Sequence, residues 1–395
     1  LIFSKFSLYL NRGVQSEGLH FYQVIQTVRE AGAIPLSTVA NRISGSSIGL
    51  FFALIGYILL VIRHKPFILA LPLIGIGIFS LWGGLRFTVY AVPVAALSVV
   101  YLFWVIGDFF KDKRLKYIFV TVATAAMLYP NITHIIGYKV PTVLNKAEVQ
   151  DLDVLTKISN PKDYTLAWWD YGYPIRYYSN TKTLIDGGKH NHDNFIISKI
   201  LQTSSSELAV NLSRLAVETY VDSNYKVAAD TLFKNKQKDQ IDPSLLLSEL
   251  EDSGYKLPEK TRDIYYYLPQ RMANIFEVVD KFKSIDIVSG EKVSGIFFKQ
   301  PIGQEDGRMF FTRNIYMLRN GDLYKGRERL HVKSIIKVGY DAQGKYKVQK
   351  EVRNIMGEYS LLIQGRSLYL LNDEALNSTY VQLFFLEQYD KRYFE

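Results

Sequence analysis

Hydrophobic and polar positions divide this chain into two regimes. Up to about residue 137 apolar residues come in long blocks; beyond it they are mixed with polar ones in short stretches. Four blocks read as membrane-spanning helices: Ile48 to Ile62, Pro66 to Trp82, Phe87 to Gly107 and Lys116 to Gly137. A span needs roughly 20 apolar residues, so the first is short, and Pro130, Asn131 and His134 interrupt the last. After Pro141 the pattern predicts a soluble domain. Asn145 to Ser159 reads as a helix, and Tyr164 to Trp169 as a buried strand. Ser204 to Glu207 offers a capping box ahead of a helix with Leu208, Leu212 and Leu215 on one face. Asp263 to Leu268 is strand-like, and Pro269 opens a helix to about Phe282.

Residues 284–372 change character. Short β-branched and aromatic runs are separated by Asn320-Gly321, Gln343-Gly344 and Gln364-Gly365, which predict hairpins. Helical spacing returns from Glu374 to Gln388. The organisation expected is therefore a multi-domain membrane protein. An external loop segment, 1–47, leads into an α-helical transmembrane bundle, 48–138. A mixed α/β domain, 139–283 plus 373–395, follows and is split by an all-β insertion, 284–372.

Charge supplies an orientation. Arg63, His64 and Lys65 crowd the first turn, and Lys111, Lys113, Arg114 and Lys116 the third, whereas the middle turn has only Arg86. Positive residues collect on the cytoplasmic side. Residues 1–47, the Arg86 turn and everything after 138 are thus expected outside the cytoplasm, which in a bacterium is the periplasm. The net charge of +9 then reflects cytoplasmic loops and lipid headgroups. No basic run interleaved with aromatics suggests nucleic acid. The absence of cysteine excludes disulfides and cysteine-bound metal.

The candidate chemistry centres on Trp168-Trp169-Asp170-Tyr171-Gly172. Indole N–H groups only donate hydrogen bonds, an ionised carboxylate only accepts them, and a hydroxyl does both. The cluster suits a small hydroxyl-bearing side chain, with the rings excluding water. A strand end whose tryptophans fill the core is the plainer alternative.

This motif resembles the signature of oligosaccharyltransferase catalytic subunits, the enzymes of asparagine-linked glycosylation. Residues 168–190 are similar to the single-subunit bacterial form. So are Thr27-Val28-Arg29-Glu30, Arg42-Ile43-Ser44-Gly45-Ser46, Gly83-Gly84-Leu85-Arg86-Phe87 and Thr261-Arg262-Asp263-Ile264-Tyr265. The resemblance implies transfer of an oligosaccharide from a polyprenyl-pyrophosphate lipid to asparagine in Asn-x-Ser/Thr. It implies catalytic roles for Glu30, holding the acceptor amide, and Arg86, binding the pyrophosphate. Trp168, Trp169 and Asp170, with Tyr173 beside them, would read the Ser or Thr hydroxyl. Met272 and Ile275 would contact the threonine methyl. Arg42 would pair with an acid two residues before the asparagine; Thr27 belongs to the acceptor side, and Lys189 and His190 could add positive charge. The chain's own Asn-x-Ser/Thr triplets, at Asn131, Asn211 and Asn377, have Tyr129, Ala209 and Ala375 two residues before, none acidic.

By the same resemblance the intact enzyme should use Mn2+ or Mg2+, bound by acids in an N-terminal half that this chain lacks. No metal ligand is assigned within the chain, and the chain alone is expected to be inactive. It starts at Leu1 without a leader and reads as a fragment or processed chain. The expected setting is the inner membrane, with lipid-linked donor, acceptor polypeptide and bilayer as partners. A membrane-anchored peptide receptor without catalysis is the alternative, and another lipid-linked sugar transferase, which would not need the motif, a third.

Overall fold

The computed structural model describes residues 19–24, 27, 30, 32–139, 142, 144–233, 242–293 and 295–395. The chain forms two compact units, one made by the described residues from Val24 to 142 and the other by those from Leu144 to Glu395 together with 19–23.

In the first unit, α1 (Leu36–Ser44) ends on Gly45, whose φ of +79° suits glycine. The chain restarts at once in α2 (Ser47–Arg63), where Ser46 Oγ accepts from Gly49 N at 3.0 Å. The two helices meet at a bend of 69°. A 3₁₀ turn, Lys65–Ala70, runs into α3 (Leu71–Gly83), and another, Leu85–Ala91, into α4 (Val92–Gly107). The last helix is α5 (Lys113–Gly137). It starts three residues before the expected Lys116 because Asp112 Oδ1 caps Arg114 N at 2.8 Å. Pro130 does not break it. Asn131 Nδ2 donates to Met127 O at 3.0 Å, and Thr133 Oγ1 donates to Tyr129 O and Pro130 O at 3.0 Å.

Lys65–Gly83, Leu85–Gly107 and Lys113–Gly137 are long and apolar enough to cross a membrane, and α1 with α2 gives a fourth candidate if the bent pair is one span. Against α4, α2 packs backbone to backbone: a Cβ on Gly56 would lie 1.9 Å from Ser98 O. Small residues make this approach possible. Val39, Ile43, Ala53, Ala95, Val99 and Phe103 form the centre, while Ile48, Phe51, Ile58, Ile62, Val122 and Ile135 stay exposed.

The second unit opens with α6 (Lys146–Ile158), held by a capping box between Asn145 and Glu148. The strands β1 (Tyr164–Leu166) and β2 (Ile264–Tyr266) pair in parallel. Both are shorter than the sequence pattern suggests. After Leu166 the chain turns through a 3₁₀ segment, Trp169–Tyr171, into α7 (Gly172–Tyr178). Then come α8 (Asp193–Gln202), α9 (Ser206–Asp222), α10 (Ala228–Phe233) and α11 (Pro243–Glu249). The cap of α9 is Ser205, not Ser204: its Oγ accepts from Leu208 N at 3.1 Å. Beyond Pro269 the expected single helix is a 3₁₀ segment, Gln270–Ile275, followed by α12 (Phe276–Lys283).

Residues 298–371 are strand and turn. A meander of β4 (Gly303–Glu305), β5 (Arg308–Phe310), β6 (Ile315–Leu318), β7 (Leu323–Lys325) and β8 (Glu328–Leu330) forms one sheet. The other contains β3 (Phe298–Lys299), β9 (Val332–Tyr340), β10 (Tyr346–Val352), β11 (Tyr359–Gln364) and β12 (Ser367–Leu371), in the order β10-β9-β11-β12-β3. Gly321, Gly344 and Gly365 occupy the three expected hairpins with φ of +88°, +75° and +56°. The closing helix is shorter than its spacing suggests: α13 (Asp373–Leu376) stops, and a π-helical turn, Val381–Phe385, follows. Between them Thr379 N and Oγ1 both bond Thr203 O, drawing the chain onto the end of α8.

Candidate functional site

The WWDYG motif lies where β1 gives way to α7. Trp168 is 1% exposed and sets its ring edge-on to Phe282, centroids 4.9 Å apart. Trp169 is half-buried beside His190, centroids 5.9 Å apart. Its Nε1 is buried and has no hydrogen-bond partner. No protein acceptor meets this donor, which leaves it available to an oxygen from outside the chain. Asp170 reaches solvent, yet protein atoms crowd its carboxyl, and this burial pushes its pKa up to about 6.

The glycines place the rest. A Cβ on Gly172 would lie 2.4 Å from Asp186 Cβ and 2.7 Å from Ile185 O, so α7 and the 184–188 loop meet at backbone distance. A Cβ on Gly187 would lie 2.7 Å from the Tyr173 ring and one on Gly188 2.7 Å from its hydroxyl, so the glycine pair makes the bed for that tyrosine. Asp186 then ties the loop down. It accepts from Gly188 N at 2.8 Å and Lys189 N at 2.9 Å and pairs with Arg176 at 3.0 Å. The structure thereby gathers Trp169, Tyr173 and His190 around Asp170's turn.

Other sequence candidates are placed differently. Lys189 turns its ammonium onto Tyr220, donating to the hydroxyl at 3.0 Å. Met272 is 0% exposed and belongs to the core, whereas Ile275 is half-buried. They share a face because residues three apart eclipse in a 3₁₀ helix.

In the first unit, Thr27 Oγ1 closes a turn on Val24 O at 2.8 Å, and Glu30 is exposed; Val28 and Arg29 lie outside the described residues, as do residues 1–18 of the expected external loop. Arg42 lies in the last turn of α1, its guanidinium 5.7 Å from the centre of the Tyr138 ring. With Asn41, Thr133 and His134 it lines an open cleft of about 510 Å³. Arg86 opens the 3₁₀ turn before α4, its guanidinium 5.6 Å from the Phe87 ring centre. Among the described residues no three His, Asp or Glu side chains gather as a metal ion would require.

Sequence reasoning missed three supports of the site. Asp186 and Phe282 have already entered above. The third is Glu218, 1% exposed, which accepts from Thr261 N at 3.0 Å and Thr261 Oγ1 at 2.8 Å and pairs with Arg262 at 3.3 Å. The Thr261–Tyr265 motif is therefore fixed by this carboxylate. A signal existed: Glu218 continues, three residues on, the apolar stripe of Leu208, Leu212 and Leu215.

A core domain carrying the WWDYG motif is the class that this arrangement defines, and residues 161–289 match the family model of the STT3/PglB/AglB core domain. Two curated relatives, undecaprenyl-diphosphooligosaccharide–protein glycotransferases of Campylobacter jejuni strain RM1221 and of a C. jejuni serotype O:2 strain, are each 35% identical over 402 residues, covering 96% of this chain. The alignment covers 56% of their length, so the chain spans about half of the curated relatives that it matches. The crystal structure of the C. jejuni PglB C-terminal domain matches with 32% identity and a TM-score of 0.53, over 62% of this chain and 93% of that domain. The chain belongs to the family of bacterial-type oligosaccharyltransferase catalytic subunits.

Proposed function

We propose that the full-length protein transfers an oligosaccharide en bloc from a polyprenyl-pyrophosphate lipid to asparagine in Asn-x-Ser/Thr, with an acidic residue two positions before the asparagine. The observation that carries this reading is the buried Nε1–H of Trp169, met by no protein acceptor, on the residue that precedes Asp170. A Ser or Thr hydroxyl would accept from the indole and donate to the carboxylate, satisfying both. Ile275, half-buried, is available to a threonine methyl, and Met272 would support it from the core.

An amide nitrogen is a poor nucleophile because its lone pair is delocalised into the carbonyl. Glu30 would accept from the acceptor amide and orient it. Arg86 would hold the departing pyrophosphate through paired hydrogen bonds. Arg42 would read the acidic residue of the acceptor. The divalent Mn2+ or Mg2+ belongs to the proposal only as a Lewis acid on the pyrophosphate, with ligands that the described residues do not bring together. The exposed apolar faces of α2 and α5 support insertion in the inner membrane, and the charges at Arg63–Lys65 and Lys111–Lys116 support a cytoplasmic side there and a periplasmic C-terminal domain.

The test is transfer to synthetic peptides by the full-length protein, with Trp169→Phe as the informative variant. Losing one N–H donor to a neutral oxygen should weaken Thr- and Ser-peptide binding about tenfold and leave the matching Ala peptide unchanged. Equal losses for all three peptides would make the motif structural. Peptide binding without any glycopeptide would favour the receptor instead.

A pH dependence follows from Asp170. Its carboxyl is ionised above about 6 and protonated below, so the charged acceptor is fully present at neutral pH and is lost as pH falls through 6. Thr-peptide affinity, measured by titration, should fall several-fold between pH 7.5 and 5 in the parent protein. In Asp170→Asn the same titration should be flat.

A further inference from the structure

The short segment ahead of the Thr27–Glu30 motif packs on the C-terminal domain, although the residues that follow it belong to the other unit. Its contacts are specific. His20 N donates to Ile287 O at 2.7 Å. Gly290, at φ +76°, leaves room for the His20 imidazole; a Cβ there would lie 2.4 Å from His20 Nδ1. Phe21 stacks flat on His192, centroids 4.3 Å apart at 15°, and meets Phe195 edge-on at 5.8 Å. The imidazole is itself oriented by Asp230, whose Oδ1 is 2.6 Å from His192 Nδ1. Tyr22 meets Phe282 edge-on at 5.1 Å.

Phe282 is the shared member. The same buried ring that receives Tyr22 receives Trp168 of the acceptor motif, at 4.9 Å. Tyr22 is thus seated on the ring that backs Trp168, and Phe21, one residue earlier, on His192 and Phe195 of the same domain. From Tyr22 eight residues lead to Glu30, a chain that spans at most about 28 Å when fully extended.

We propose that Phe21 and Tyr22 are positioning residues of the transfer reaction, fixing the start of the Glu30-bearing loop to the acceptor-binding domain. This rests on the reading of the protein as an oligosaccharyltransferase. The anchor shortens the free loop and raises the effective concentration of the Glu30 carboxylate around a peptide held by Trp169 and Asp170. Neither ring touches substrate; each acts through where it begins the loop.

The test compares Phe21→Ala/Tyr22→Ala with Phe21→Tyr in the full-length protein. Hydrogen exchange of the His20 amide reports docking independently of activity. In the parent and in Phe21→Tyr it should be protected; in the double variant it should exchange at least tenfold faster. The kcat for a Thr peptide should fall about 10- to 100-fold in the double variant, as misplacing a reacting group does. Its Kd should stay within about threefold, because the tryptophan pocket is intact, and Phe21→Tyr should restore kcat. An unprotected His20 amide in the parent would overturn the anchor. So would loss of protection with kcat unchanged, or a kcat loss matched by equal weakening of Kd. Absence of transfer by the parent protein is a separate failure: it removes the transferase reading before any substitution is made and leaves the exchange result to stand alone.

Discussion

Replacing Arg86 by alanine in the full-length protein should lower oligosaccharide transfer about 10²- to 10³-fold and leave acceptor-peptide binding unchanged. The local fold explains why the side chain is so placed. Gly84 takes φ +104°, ψ 172°, a conformation that a side chain would disfavour, and turns the chain between α3 and the Leu85–Ala91 helix. A Cβ on Gly83 would lie 2.5 Å from the Phe79 ring and 2.7 Å from that of Phe87, so both glycines are needed for the approach of these helices. Thr88 Oγ1 then donates to Leu85 O at 2.7 Å and stiffens the first turn.

The result separates two roles for this arginine. An interfacial arginine that merely anchors a helix keeps its charge in the headgroup region, and lysine serves equally well. A guanidinium that grips a pyrophosphate uses two parallel hydrogen bonds, which an ammonium cannot reproduce. Arg86→Lys should therefore recover only part of the lost rate, whereas an anchor would recover fully. Glycopeptide formation at saturating peptide, with peptide Kd from an independent titration, reads both. Full activity in the lysine variant would end the pyrophosphate assignment.

The parts legible in the sequence are those with a local cause. The apolar spans, taken with their 3₁₀ turns, are legible within three residues of their ends, because a long apolar run marks them. Gly321, Gly344 and Gly365 announced their hairpins because positive φ is a property of the residue. What the pattern could not show is where a regular element gives way to a tertiary contact. Tyr164 to Trp169 is apolar as a buried strand would be, but the chain leaves β1 after Leu166 to form the motif's 3₁₀ turn. Glu374 to Gln388 has helical spacing, yet Thr379 prefers the carbonyl of Thr203, 176 residues earlier. The motif itself was legible as a cluster; its supports were not. Phe282 lies 114 positions from Trp168, and Tyr22 reaches it from the opposite end of the chain. Met272, expected beside the peptide, is fully buried, because periodicity marks a shared face without saying which depth it reaches.

Gly172→Ala should destabilise the C-terminal domain by about 3 kcal/mol, the upper part of the range for overpacking a tight contact. Helix propensity argues the other way. Gly172 opens α7 at φ −60°, ψ −46°, a conformation open to any residue, and alanine in a helix is ordinarily favoured over glycine by about 1 kcal/mol. The contact decides the sign. The new methyl would lie 2.6 Å from Asp186 Cα and 2.7 Å from Ile185 O, backbone atoms that cannot swing aside. They are also held from the other side, since Asp186 carries the bonds to Gly188 N, Lys189 N and Arg176. Gly187→Ala provides the contrast. Its methyl would meet the ring of Tyr173, which is 57% exposed and free to rotate outward, so the cost should stay under about 1 kcal/mol. Thermal unfolding of both variants, followed by near-ultraviolet circular dichroism of the motif's tryptophans, measures the difference. Equal midpoints for the two would mean that the 184–188 segment yields, and that the glycine of the motif is not fixed by this packing.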